Sequence, residues 1–191
     1  MLLVIDDFTP KLTVEAVWSS KYKSSLGNNL KPKKLDDAPA VTLIAPSPGL
    51  WHCTSSVTYA ITLTDPDAPS RDDPKWSEMC HWIATGVSSA QEGTDGLEAT
   101  SCAALTLSDL EDVMPYKAPA PPKKTGKHRY VLLVFVAANG TTDSLHLSKP
   151  SDRQHWGYGE KDHGVRDWAK DNGLVPIGEF LQASMSGRLV C

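Results

Sequence analysis

The run Tyr130–Ala137, YVLLVFVA, is apolar throughout and rich in β-branched and aromatic residues. A strand of this kind is stable only when both of its faces are covered, so the chain must supply further layers around it. Leu12–Trp18, Val41–Ala45 and Val57–Thr64 have the length and composition of further strands. In Val57–Leu63 larger apolar residues alternate with small or polar ones, which predicts a sheet with one face on the core. Long stretches rich in Pro, Gly, Ser and Asp connect these runs, notably Ala45–Ser56 and Val113–Lys127, the latter with an extended APAPP piece at 118–122.

Helical signals are few. Ser108-Asp109-Leu110-Glu111 has the form of a capping box, and Val165, Trp168 and Ala169 share a helical face before the stop at Asn172-Gly173. Val175–Ala183 reads as a strand despite Pro176 and Gly178. The fold class is mainly β, with peripheral helices.

The length of 191 residues suits one domain spanning 1–191. With 40% hydrophobic and 22% charged residues the composition is globular, which excludes a disordered chain. Nineteen basic against twenty-three acidic side chains give a charge of −4 and no long basic run, so nucleic acid is not an expected partner. The opening MLLVIDDFTP lacks the basic and long apolar regions of a secretory signal, and no segment reaches the roughly 20 apolar residues of a membrane helix. A cytoplasmic location is the expectation. Cys53, Cys80, Cys102 and Cys191 form no Cys-x-x-Cys pair, so they read as buried or idle thiols.

TDPDAPSR, Thr64–Arg71, ends one of these strands with two prolines, two acids and an arginine. Pro66 and Pro69 fix their own φ and bias Asp65 and Ala68 toward extended backbone, giving a stiff loop. Its plain reading is a turn in which Asp65 and Asp67 cap N–H groups and Arg71 pairs with one of them. Two histidines at strand edges, His81 in CHW and His128 in GKHRY, together with Tyr130 and a Pro-rich approach (Pro119, Pro121, Pro122), point instead to a small polar pocket with apolar walls. Trp156-Gly157-Tyr158-Gly159 reads as a tight turn packed on the core.

DPDAPSR, followed by His81 sixteen positions after its first Asp, and then PP-K-x-T-G-x-HRY, resembles the phosphatidylethanolamine-binding family. KWSEMCHW (75–82), WGYG, GV and WAKDN extend the resemblance to fungal members related to the carboxypeptidase Y inhibitor. The resemblance implies two antiparallel sheets with peripheral helices and a pocket for phosphate, phosphorylethanolamine, acetate or similar anions. By motif, it assigns Asp65, Asp67, Ala68, Pro69, His81, Pro121, Pro122, His128 and Tyr130 to that pocket or its frame. Phe180 would close one side, and Asp67–Arg129 would form an ion pair behind it. Met79 stands where many members place an aromatic residue, and Lys124 where a glycine is common.

Three functional readings follow from the resemblance. The first is a binding or regulatory module for a small anionic ligand and a protein partner such as a protease or kinase, with protease inhibition one form of it. The chain begins close to the first family strand, without the N-terminal helical extension that the fungal inhibitor sets against its protease, so inhibition is not carried over directly. The second is a role in fungal secondary-metabolite biosynthesis, such as maleic-anhydride dimerisation to maleidrides, acting with a biosynthetic enzyme. There Asp65, His81, His128 and Tyr130 would be the catalytic candidates. The third, a metal site of Asp65, His81 and His128, ranks below both, and no metal or cofactor is expected. No Gly-x-Ser-x-Gly elbow is present, so the chain does not read as a conventional enzyme.

Overall fold

The computed structural model describes residues 4–24, 28–45, 57–87, 104–107, 110–161 and 163–186, with side chains through Gly178 except that of Val87. The strands among the described residues are β1 (Leu12–Ser19), β2 (Tyr22–Lys23), β3 (Ala40–Ile44), β4 (Thr58–Asp65), β5 (Met79–Val87), β6 (Ala104–Leu107), β7 (Glu111–Met114), β8 (Lys127–Ala137) and β9 (Leu174–Ser186). The α-helix α1 (Val165–Asp171) precedes β9. The described strands hydrogen-bond in the order β6-β3-β1-β9-β8-β4-β5-β7, with β2 on β1. The β1–β9 pair is parallel, through Leu12–Gly178 and Thr13–Glu179, and every other pairing is antiparallel.

That parallel pair joins two layers that pack on each other. Leu12, Val14 and Ala16 of β1, Val41 and Leu43 of β3, and Leu105 and Leu107 of β6 share a core with Tyr59, Ile61 and Leu63 of β4 and with Tyr130, Leu132 and Val134 of β8. The alternate residues of β8, Val131, Leu133 and Phe135, enter a second core closed by Trp156 and by Val165, Trp168 and Ala169 of α1. Period-2 alternation thus sends successive side chains of YVLLVFVA into two different cores, as an all-apolar strand requires.

The same two-sided cover corrects the reading of β4. Every residue from Thr58 to Asp65 is buried, where the alternation predicted one exposed face. Small or polar side chains at Ala60, Thr62 and Thr64 mark close packing against the second core rather than contact with solvent. The capping box is corrected too: Ser108 and Asp109 lie outside the described residues, and Glu111 opens β7, which pairs with β5. Strand pairing overrides a local helical signal there. It also shortens the predicted 113–127 loop, because Val113 and Met114 belong to β7.

Trp156 is buried in a tight turn at His155–Gly157 whose residues all have positive φ, its ring 5.4 Å from Trp168 and its Nε1–H donating to Thr64 Oγ1 at 3.0 Å. Within the aromatic–glycine run Trp156 packs on the core, whereas Tyr158 is exposed. Gly157 has φ +80°, and a Cβ there would meet Ser151 Oγ at 2.7 Å, so only glycine fits. Cys80 is buried and its thiol is pushed up to about 12, chiefly by desolvation. The other three cysteines lie outside the described residues. No described helix is long and apolar enough to cross a membrane.

Candidate ligand pocket

β4, β5 and β8 end side by side, and their motif residues meet there. Asp65 ends β4 opposite Met79 at the start of β5, while His128 and Tyr130 open β8 on the face that continues through Leu132. Between Thr64–Cys80 and Leu63–Trp82 the register shifts, so His81 has no partner opposite it in β4. Such a bulge re-aims a side chain. It brings His81 to the pocket although Cys80 and Ile83 beside it face the second core.

A cavity of about 240 Å3 lies at this end of the fold. Asp65, Ala68, Pro69, Met79, His81, Pro121, Pro122, His128 and Tyr130 line it. Asp67 does not. It stands behind, where its carboxylate accepts from Arg129 Nε at 2.9 Å, from the second guanidinium nitrogen (NH2) at 2.6 Å and from the Arg129 backbone N–H at 2.7 Å. The plain turn reading of the loop gives this partnership to Arg71 instead. Arg71 is exposed, and its backbone N–H donates to Thr125 O at 3.1 Å, tying the two motif loops together. The side chain of Phe180 lies outside the described residues.

Each polar group at the cavity has a defined role. Asp65, 2% exposed, accepts from the Asp67 N–H at 2.8 Å through Oδ1 and from His128 Nδ1 at 2.8 Å through Oδ2. The other His128 nitrogen lies 3.0 Å from Thr125 Oγ1, whose hydroxyl donates to Pro122 O at 2.8 Å. His81 Nδ1 donates to the Lys117 carbonyl at 2.7 Å, and the Lys117 N–H donates back to the His81 carbonyl at 2.8 Å. Burial pushes the His81 pKa down, so its ring is held neutral. Tyr130 meets His81 edge-on, ring centroids 5.1 Å apart. Burial and then the nearby Asp65 carboxylate push the Tyr130 hydroxyl's pKa far up, so it keeps its proton.

Sequence reasoning missed Trp76, Lys117, Ala118 and Ala120 in the wall. Lys117 directly precedes APAPP, and the stiffness of that run was the available signal that a cation would be held at the rim. Arg153 was missed as well. Its guanidinium donates to the carbonyls of Cys80 and His81 at 3.1 Å and of Pro115 at 2.8 Å, clamping the two segments that carry His81 and Lys117.

Residues 19–177 match the model of the phosphatidylethanolamine-binding protein family. The chain belongs to this family. Among its members, carboxypeptidase Y inhibitor from Saccharomyces cerevisiae is 32% identical over 87% of this chain and 81% of its own length. The structure of carboxypeptidase Y inhibitor complexed with its cognate proteinase matches with TM-score 0.79 and 30% identity, covering 95% of this chain and 86% of that one. The phosphatidylethanolamine-binding protein from Plasmodium vivax shares the fold, with TM-score 0.65 at 17% identity, 94% of this chain and 87% of that one.

Proposed function

We propose that this chain is a binding module whose pocket takes a small anionic group, such as phosphate, phosphorylethanolamine or a carboxylate, and whose surrounding surface engages a protein partner. The observation that carries this reading is the cavity itself, where the Tyr130 hydroxyl and the Lys117 cation stand beside His81 and the Asp65–His128 pair within apolar walls. Its volume suits a head group or a single acidic side chain. Calorimetry with phosphorylethanolamine, phosphate and acetate tests it, with loss of binding expected in His81→Ala and Tyr130→Phe. Unchanged binding in both variants overturns it.

Protease inhibition is the partner reading that the similarity to carboxypeptidase Y inhibitor favours, since that likeness extends over most of both chains. Assay of a serine carboxypeptidase with increasing amounts of the purified chain decides it. Dose-dependent inhibition supports the reading, and full residual activity at a large molar excess removes it.

A further inference from the structure

We infer that the pocket selects an anion carrying its own acidic hydrogen, namely a phosphomonoester in its singly protonated form, over anions of like charge or size that have none. This inference rests on the anion-pocket reading above and concerns which protonation state of the ligand the site accepts.

A carbonyl oxygen can only accept, so the 2.7 Å contact between His81 Nδ1 and Lys117 O places the ring hydrogen on Nδ1. The ring is 3% exposed. Desolvation keeps it neutral, supported by the like charges of Arg153 and Lys117 and opposed by Asp65 and by the bond to Lys117 O. In a neutral imidazole with Nδ1–H, the other nitrogen is a bare acceptor. His81 Nε2 has no hydrogen-bond partner among the described residues, and the ring lines the cavity.

A second acceptor stands in the same wall. The Asp65 carboxylate accepts from His128 Nδ1, from the Asp67 N–H and from the Tyr130 hydroxyl, and of its roughly four lone-pair sites the remainder faces the cavity. The donors are the Lys117 ammonium at the exposed rim and the Tyr130 hydroxyl, whose one hydrogen must turn from Asp65 to reach a ligand. A ligand of bare oxygens satisfies those donors but sets its own lone pairs against His81 Nε2 and Asp65. A singly protonated phosphomonoester donates its P–OH to one acceptor and offers its remaining oxygens to Tyr130 and Lys117. Discrimination by a site built around a ligand hydrogen is strong, because the mismatched ligand leaves buried polar groups unpaired.

The test is calorimetric titration of the full chain with methyl phosphate, dimethyl phosphate and sulfate between pH 5 and pH 8. Dimethyl phosphate has the monoanion's charge without its hydrogen, and sulfate has its shape without the hydrogen. Methyl phosphate is expected to bind at least about tenfold more tightly than either at pH 5. Its advantage over dimethyl phosphate should then fall about a hundredfold by pH 8, following a second ionisation near 6. Taking the ratio of the two ligands at each pH removes the protein's own titrations. A ratio that is flat or rises with pH overturns the inference and leaves an anion pocket in place. Binding by none of the three removes the pocket reading, and this inference with it.

Discussion

His128 Nδ1 stands 2.8 Å from Asp65 Oδ2, in a contact whose two side chains are almost fully buried. The residues lie 63 positions apart in the chain, so this bond joins the end of β4 to the start of β8 and holds both motif loops around the cavity. Removing one partner leaves the other buried with its polar atoms unmatched, which is a larger effect than loss of the bond alone. His128→Ala is expected to destabilise by about 3 kcal/mol. His128→Asn, whose amide can still donate toward Asp65, should cost clearly less. Urea unfolding of both variants checks this, and equal losses would show that packing, not the bond, sets the cost.

Glu78 carries the clearest pH signature. It is buried beside the start of α1, 3.2 Å from Thr64 Oγ1 and 3.3 Å from the Val165 N–H, and desolvation raises its pKa to about 8 against the lowering effect of those bonds. The unfolded chain releases this proton near 4.3. Between those values the native state holds a proton that the unfolded state does not. The stabilisation is therefore fully present below about pH 4.3 and is lost as pH rises through 8, with a slope of at most about 1.4 kcal/mol per unit. Glu78→Gln should flatten that slope. Thermal unfolding of both proteins from pH 5 to pH 9 makes the comparison, and parallel curves would exclude Glu78 as the cause.

Gly164 and Glu78 form a coupled pair. A Cβ on Gly164 would lie 2.3 Å from Glu78 Cδ, inside any allowed contact, so the carboxyl is seated against the glycine. Gly164→Ala is expected to cost about 1–3 kcal/mol through overpacking. In a Glu78→Ala background the same change should cost much less. A double-mutant cycle by denaturant unfolding measures the coupling, and additive losses would refute it.

Lys124 has φ +68°, the left-handed region that disfavours residues with a Cβ. It is also the position at which the family commonly has glycine. Lys124→Gly is expected to stabilise by up to about 1 kcal/mol, the gain in the folded loop being partly offset by greater freedom of the unfolded chain. A lower urea midpoint in the variant would contradict this.

The sequence by itself determined the runs of β1, β3, β4, β8 and β9 and the polar side chains Asp65, His81, His128 and Tyr130 of the pocket, but not β5 or the wall residues Trp76, Lys117, Ala118 and Ala120. YVLLVFVA announced its two-sided burial because an uninterrupted apolar strand has no other stable environment. DPDAPSR and GKHRY named the acid, histidine and tyrosine because stiff proline backbone and strand-edge polar groups leave a pattern in residue order. What only the tertiary structure decided depends on alignment between distant segments. The bulge that leaves His81 unpaired and the reciprocal bonds between His81 and Lys117 both arise from register across strands. The Glu111 strand belongs to the same class, since its pairing with β5 outweighs a local capping signal. Local patterns are written in neighbouring residues, whereas register is set by which long-range pairing buries the most and leaves the fewest polar groups unmatched.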